Sequence, residues 1–352
     1  MPGSGRDLSA VCGKLGWDSA PRLSVERCVE RKVFRVMANH FADRLYEAVG
    51  SKKTSLVIGL DPVYSRLPPA IRAHRQMNDE FDAAAAVDAI FDFCTQAMRI
   101  VAPIVPAVKI NIAFFERYLW EGLESYYALI SEADDLGLEI IGDVKRGDIG
   151  HTAEMYAVAH LQNSELTGLE DVLAPDAITV NGYAGADGIE PFAKMAAAQG
   201  KGVFVLVRTS NPSAAAIQDF QDAQGQALYE KVAQVVGEIG SRPEHIGEKG
   251  YSDIGMVVGG TAPEATAALR VKYDKTWFLV PGYGAQGAAA ADCIRFCKSD
   301  GTGALINASR SIIYAYEKPQ YKDTVGEDWK KCVEQAVIDA KIDLAQAMQT
   351  KL

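Results

Sequence analysis

The chain has 352 residues, 48% of them hydrophobic and 23% charged, with a formal net charge of −10. This length admits one large α/β domain or two ordinary ones. The acidic balance excludes a general nucleic-acid-binding surface, though not a local basic pocket for a small anion.

Residues 1–36 read as an irregular, weakly ordered or docking extension, with several glycines and then the charged run Glu26–Lys32 within it. A first short helix is expected over Ala38–Val49, from the spacing of Phe41, Leu45 and Val49. An alternation then begins. Apolar, β-branched stretches predict strands at Ser55–Asp61, Ala107–Phe115, Leu138–Lys145, Ala177–Tyr183, Gly202–Thr209, Asp253–Gly260, Thr276–Tyr283 and Gly303–Arg310. Helical patterns lie between them at Phe81–Val101, Arg117–Leu136, His151–Gln162, Ile189–Gln199, Gln224–Ile239, Pro263–Tyr273 and Ala288–Lys298, and Glu327–Met348 closes the chain. Strands alternating with helices imply parallel pairing, and eight is the number that closes a (β/α)8 TIM barrel. No Pro/Gly-rich linker divides the chain, so residues 37–352 read as one barrel domain. The connection Asn211–Ser252 is long and polar before its helix.

The six cysteines, Cys12, Cys28, Cys94, Cys293, Cys297 and Cys332, form no CxxC pair. They read as reduced structural thiols, without a metal site. With no signal-peptide core and no apolar run of membrane-spanning length, the sequence reads as a cytoplasmic protein with no membrane partner. Trp17, Trp120, Trp277 and Trp329 are expected in packing. His151 is expected at a surface helix start, and His40, His74, His160 and His245 show no catalytic spacing.

A barrel of this kind carries its active site at the C-terminal ends of the strands. Those ends hold Asp61, then Lys109 as a lone charge in an apolar run, then Asp143 and Lys145, Asn181, Arg208-Thr209-Ser210-Asn211-Pro212, Pro281–Gly287 and Asn307-Ala308-Ser309-Arg310. In the stretch Gly142-Asp143-Val144-Lys145-Arg146-Gly147-Asp148, strand alternation places Asp143 and Lys145 on one face and Val144 on the other. A surface salt bridge would also use such a pair, but the convergence of polar groups on one rim favours a site. The turn with Gly282, Gly284 and Gly287, beside Ser309 and Arg310, falls where such barrels hold phosphate. Glycines let backbone amides approach an anion, Arg310 supplies a forked donor, and Gln286 supplies an amide on a loop able to close.

Asp143-x-Lys145-x-x-Asp148 with Lys109 on the preceding strand resembles the charged tetrad of the orotidine 5′-phosphate decarboxylases. Gly59-Leu60-Asp61, Thr209-Ser210-Asn211-Pro212, Val280–Gly287 and Asn307–Arg310 agree in order. The resemblance runs from about Met37 to about Tyr316 and is to the longer bacterial-type branch. It implies a cofactor-free, metal-free conversion of orotidine 5′-phosphate to UMP and CO2 in de novo pyrimidine synthesis. By the same resemblance, Lys109, Asp143, Lys145 and Asp148 are catalytic. Asp61, Ile149, Thr152, Ser210, Pro212, Gln286, Ser309 and Arg310 bind substrate. Asp148, with Ile149 and Thr152, would serve the partner's site in a homodimer. Gly182, where that branch leads us to expect proline, and Tyr283, in place of a small aliphatic residue, depart from the pattern. Two other readings stay open: a Mg²⁺-dependent sugar-phosphate decarboxylase or aldolase sharing the D-x-K-x-x-D motif, and a non-catalytic nucleotide-binding barrel.

Overall fold

A computed structural model describes residues 40–73 and 82–351. The expected extension over 1–36, with Cys12, Cys28 and Trp17, lies outside the described residues, as does His74.

The strands are β1 Leu56–Leu60, β2 Ala107–Asn111, β3 Glu139–Arg146, β4 Ala177–Asn181, β5 Gly202–Arg208, β6 Ser252–Val258, β7 Thr276–Val280 and β8 Ala304–Ala308. Each pairs in parallel with the next, and β8 pairs with β1 to close the barrel. The strands read as near-continuous apolar runs because helices cover their outer face and side chains fill the inside. The long helices are α1 Phe41–Lys52, α2 Ala83–Val101, α3 Leu119–Asp135, α4 Gly150–Leu161, α5 Ala186–Gln199, α6 Leu228–Gly240, α7 Pro263–Lys272 and α8 Trp329–Lys351. No helix among the described residues is long and apolar enough to cross a membrane.

Local chemistry sets several boundaries. Asp82 caps α2 by accepting the Ala85 N–H at 3.1 Å. The Glu230 carboxylate reaches back to the Ala227 N–H at 2.8 Å and starts α6. Gly200 takes the left-handed conformation that ends α5 (φ +63°).

The helix α1 stoppers the barrel at the end away from the strand C-termini. Phe41 and Leu45 pack with Phe204 and Trp277 in the interior cluster, and the Phe41 and Phe204 rings meet edge to face at 6.1 Å. Arg44, buried beside them, donates to Gly200 O at 2.9 Å and Asp176 Oδ1 at 3.0 Å, so its charge is paired where water is excluded.

Three expectations need correction. The second strand does not reach Phe115: it ends at Asn111, and residues Ala113–Glu116 form a helical turn that puts Phe115 into the core. The helix expected over Ala288–Lys298 shrinks to Ala290–Cys293 and a 3₁₀ turn Ile294–Phe296. There the end of α8 takes over, with the Lys351 ammonium donating to Ile294 O at 3.1 Å. Trp277 and Trp329 are buried as expected, but Trp120 is 73% exposed at the start of α3. The long connection after β5 holds two short helical turns before α6 and one after it.

Candidate active site

The strand ends enclose a cavity of about 360 Å³. Its lining includes Asp61, Lys109, Asp143 and Lys145, contributed by the ends of β1–β3, Ser210 after β5, Gln286 after β7, and Ser309 and Arg310 after β8. These residues are brought together as the sequence predicted.

Asp143 is the centre of the charged group. Lys109 donates to its Oδ2 at 2.8 Å and Lys145 to its Oδ1 at 2.6 Å, while Asp61 Oδ1 stands 3.9 Å from the Lys109 ammonium. Lys109 and Asp143 are buried; the Lys145 side chain is 49% exposed and faces the open cavity. Burial alone would push the Asp143 carboxyl up. The two ammonium groups outweigh it and hold the carboxyl well below the usual carboxylate range. Burial likewise opposes the charge on Lys109, but Asp143 and Asp61 overcome it and raise its pKa.

The pairing of Asp143 with Lys145 is not made by simple alternation. Lys145 sits at φ +46°, a backbone conformation uncommon for a residue with a side chain, and β3 shifts register against β4 between Gly142 and Arg146. Thr179 on β4 bonds both to Asp143 and to the Lys145 backbone. The sequence reading missed Thr179. Its signal was a hydroxyl inside the apolar run Ile178-Thr179-Val180.

Across the cavity, the turn after β7 has Gly282, Gly284 and Gly287 all at positive φ, which only glycine adopts without strain. A Cβ on Gly59 would stand 1.8 Å from Ser309 Oγ, so glycine on β1 is what lets Ser309 lie against the barrel mouth. Tyr283, a departure from the expected pattern, donates from its hydroxyl to Asp343 Oδ2 on α8 at 2.6 Å and tethers the turn to the final helix. Gly182 has a packing reason: a Cβ there would approach Val205 and Val232 to 2.8 Å.

Other predicted residues lie elsewhere. Asp148, Ile149 and Thr152 are outside the cavity lining, with Ile149 58% exposed and Asp148 Oδ1 accepting the Ile149 N–H at 2.8 Å. Pro212 opens a 3₁₀ turn outside the lining. Asn181 turns away to accept the Tyr183 N–H at 2.9 Å, and Arg208 is buried in a pair with Asp219 at 2.7 Å. His151 is exposed at the start of α4, as expected.

The model of the orotidine 5′-phosphate decarboxylase / HUMPS family matches residues 55–322, and the chain belongs to that family. Among its relatives, the orotidine 5′-phosphate decarboxylase of Rhodopirellula baltica is 36% identical over 299 residues, covering 85% of this chain and 96% of that one. The enzyme of the same description from Clostridium novyi is 39% identical over 276 residues, covering 78% and 89%. The structure of Leishmania donovani OMP decarboxylase superposes with a TM-score of 0.62 at 28% identity, covering 88% of this chain and 99% of that one.

One buried histidine reports on the strand end beside the site. Arg146, which follows Lys145, pairs with Glu116 and donates from Nε to His160 Nε2 at 3.1 Å. That donor requires a neutral ring with Nε2 unprotonated. Burial, then the Arg146 charge, push the His160 pKa down to about 4. An unfolded histidine titrates near ~6.5. The unfolded chain therefore binds the proton first, and stability falls as pH drops from about 6.5 towards 4. Across that window this group is expected to remove about 3 kcal/mol. Urea unfolding of His160→Gln should show a flatter dependence over the same window than the parent protein, and equal slopes would contradict the assignment.

Proposed function

We propose that the protein decarboxylates orotidine 5′-phosphate to UMP and CO2, the closing reaction of de novo pyrimidine synthesis. The observation that carries this reading is the ionised Asp143 held between Lys109 and Lys145 on the floor of a cavity whose other end offers Gln286 and Arg310.

Breaking the bond from C6 to the carboxylate leaves an electron pair localised on C6, with little resonance to spread it. The Lys145 ammonium can stabilise that pair and then transfer its proton to C6. Asp143 would face the departing carboxylate. Two like charges ~4 Å apart at an effective dielectric of ~20 repel by about 4 kcal/mol, and loss of CO2 relieves this. Asp143 also keeps Lys145 charged until the proton is needed. Lys109 would position the ribose and Asp143 together, and Asp61 would take the ribose hydroxyls. Ser210 would read the amide edge of the ring with Pro212 closing that side, and Gln286, Ser309 and Arg310 would grip the phosphate. Binding energy from that remote grip is available for orientation and loop closure.

The reaction as written requires neither metal nor cofactor. The carboxylates in the cavity lining, Asp61 and Asp143, both face the Lys109 ammonium, which competes with any cation there. We further propose a homodimer in which Asp148, Ile149 and Thr152 complete the partner's site. Their position outside their own cavity supports this. So does the apolar surface that follows them, with Met155, Tyr156 and Val158 exposed on α4 and Leu166 67% exposed beyond it. The four described cysteines are buried and free, which supports a reducing, cytoplasmic setting.

Absorbance of orotidine 5′-phosphate, followed after adding EDTA-dialysed protein, tests the activity: the expected result is loss of substrate and appearance of UMP. Turnover absent in EDTA and restored by Mg²⁺ would favour the sugar-phosphate chemistry, and UMP binding without any turnover would favour a binding protein. The shared site is tested by mixing inactive Lys145→Ala and Asp148→Ala subunits. Random exchange should restore about a quarter of wild-type activity, because half the dimers then carry one intact site of two. No recovery after demonstrated exchange would contradict it.

A further inference from the structure

The charged centre depends on one neutral hydroxyl. Between the pairs Gly142↔Ile178 and Arg146↔Val180, β3 spends residues 143–145 against Thr179 alone. A bulge of that size forfeits ladder hydrogen bonds and leaves backbone groups to be satisfied some other way. Thr179, 1% exposed, satisfies one of them: its Oγ1 accepts the Lys145 N–H at 3.0 Å. The same hydroxyl donates its proton to Asp143 Oδ1 at 2.9 Å. Both directions are forced, since an amide N–H only donates and an ionised carboxylate only accepts. The oxygen it reaches is the one that also receives the Lys145 ammonium at 2.6 Å.

We propose that Thr179 is a positioning residue for the decarboxylation. Its hydroxyl pins the backbone of Lys145 in the left-handed bulge and the carboxylate of Asp143 in one orientation, so that the ammonium returns to the strand end it came from. This rests on the decarboxylase reading of the site. The phosphate grip, built on β7 and β8, is on the far side of the barrel from Thr179 and is independent of it. The expected signature is therefore a loss in the chemical step with product binding preserved.

Thr179→Val keeps the shape and removes the hydroxyl; Thr179→Ser keeps the hydroxyl and removes the methyl. For Thr179→Val we expect kcat to fall at least tenfold, with the Kd for UMP within threefold of the parent protein. Thr179→Ser should stay within threefold in both. Equal losses in the two variants, a kcat for Thr179→Val within threefold of the parent, or a matching loss of UMP affinity would overturn the proposal. A second measurement needs neither variant nor turnover. In ¹⁵N-lysine-labelled wild-type protein, the Lys145 amide should be protected from hydrogen exchange; exchange at the rate of a free amide would overturn the proposal even if Thr179→Val does not fold. Failure of the decarboxylase reading shows separately, as wild-type protein that consumes no orotidine 5′-phosphate, and the amide protection then still decides whether Thr179 holds the bulge.

Discussion

A carboxylate buried between two ammonium groups is the constraint from which the rest of this structure follows. Taking an ion of this kind out of water costs several kcal/mol, and attraction offsets that only where the partners are close and well aligned. Asp143 has both lysines within 2.8 Å and a hydroxyl at 2.9 Å, so it stays charged where burial alone would neutralise it. The arrangement is asymmetric. Lys109 is buried and braced by Asp61 at 3.9 Å, whereas the Lys145 side chain remains half open to the cavity. The buried partner fixes the carboxylate, and the open one is available to a ligand.

The barrel serves this group by division of labour. Adjacent strands β1, β2 and β3 supply Asp61, Lys109 and the Asp143–Lys145 pair, while β7 and β8 lead into the glycine-rich turn and Arg310 across the mouth. The two halves meet where Gly59 lets Ser309 approach β1. At the opposite end, α1 fills the barrel and buries the Arg44 charge against Asp176 and Glu139. The polar cavity thus sits on one rim and the packed apolar plug on the other, the rim where barrels of this class place their sites being the polar one.

Strand number and order were legible because strands covered on both faces must be apolar along their length, and β1 through β8 read that way. The polar residues interrupting those runs, Lys109 and Asp143 above all, pointed to the candidate site for the same reason. What escaped reading depends on contacts across the sequence. Phe115 looked like a continuation of β2 because an apolar run does not distinguish a strand from a buried helical turn. Trp120 looked like core by composition alone. The bulge in β3 left no trace, since Asp143 and Lys145 share a face in an ideal strand as well. Its partner Thr179 is 34 residues further on from Lys145. The Tyr283–Asp343 tether spans 60 residues and has no local signature.

The central claim is that Asp143 is held ionised by its two lysines, and its carboxyl ¹³C resonance tests this directly. In protein labelled at the aspartate carboxyl carbon and titrated downward from neutral pH, the Asp143 signal is expected to keep its ionised shift throughout the range where an ordinary aspartate protonates, near ~3.9. A midpoint at or above that value would contradict the account, because burial would then have prevailed over Lys109 and Lys145.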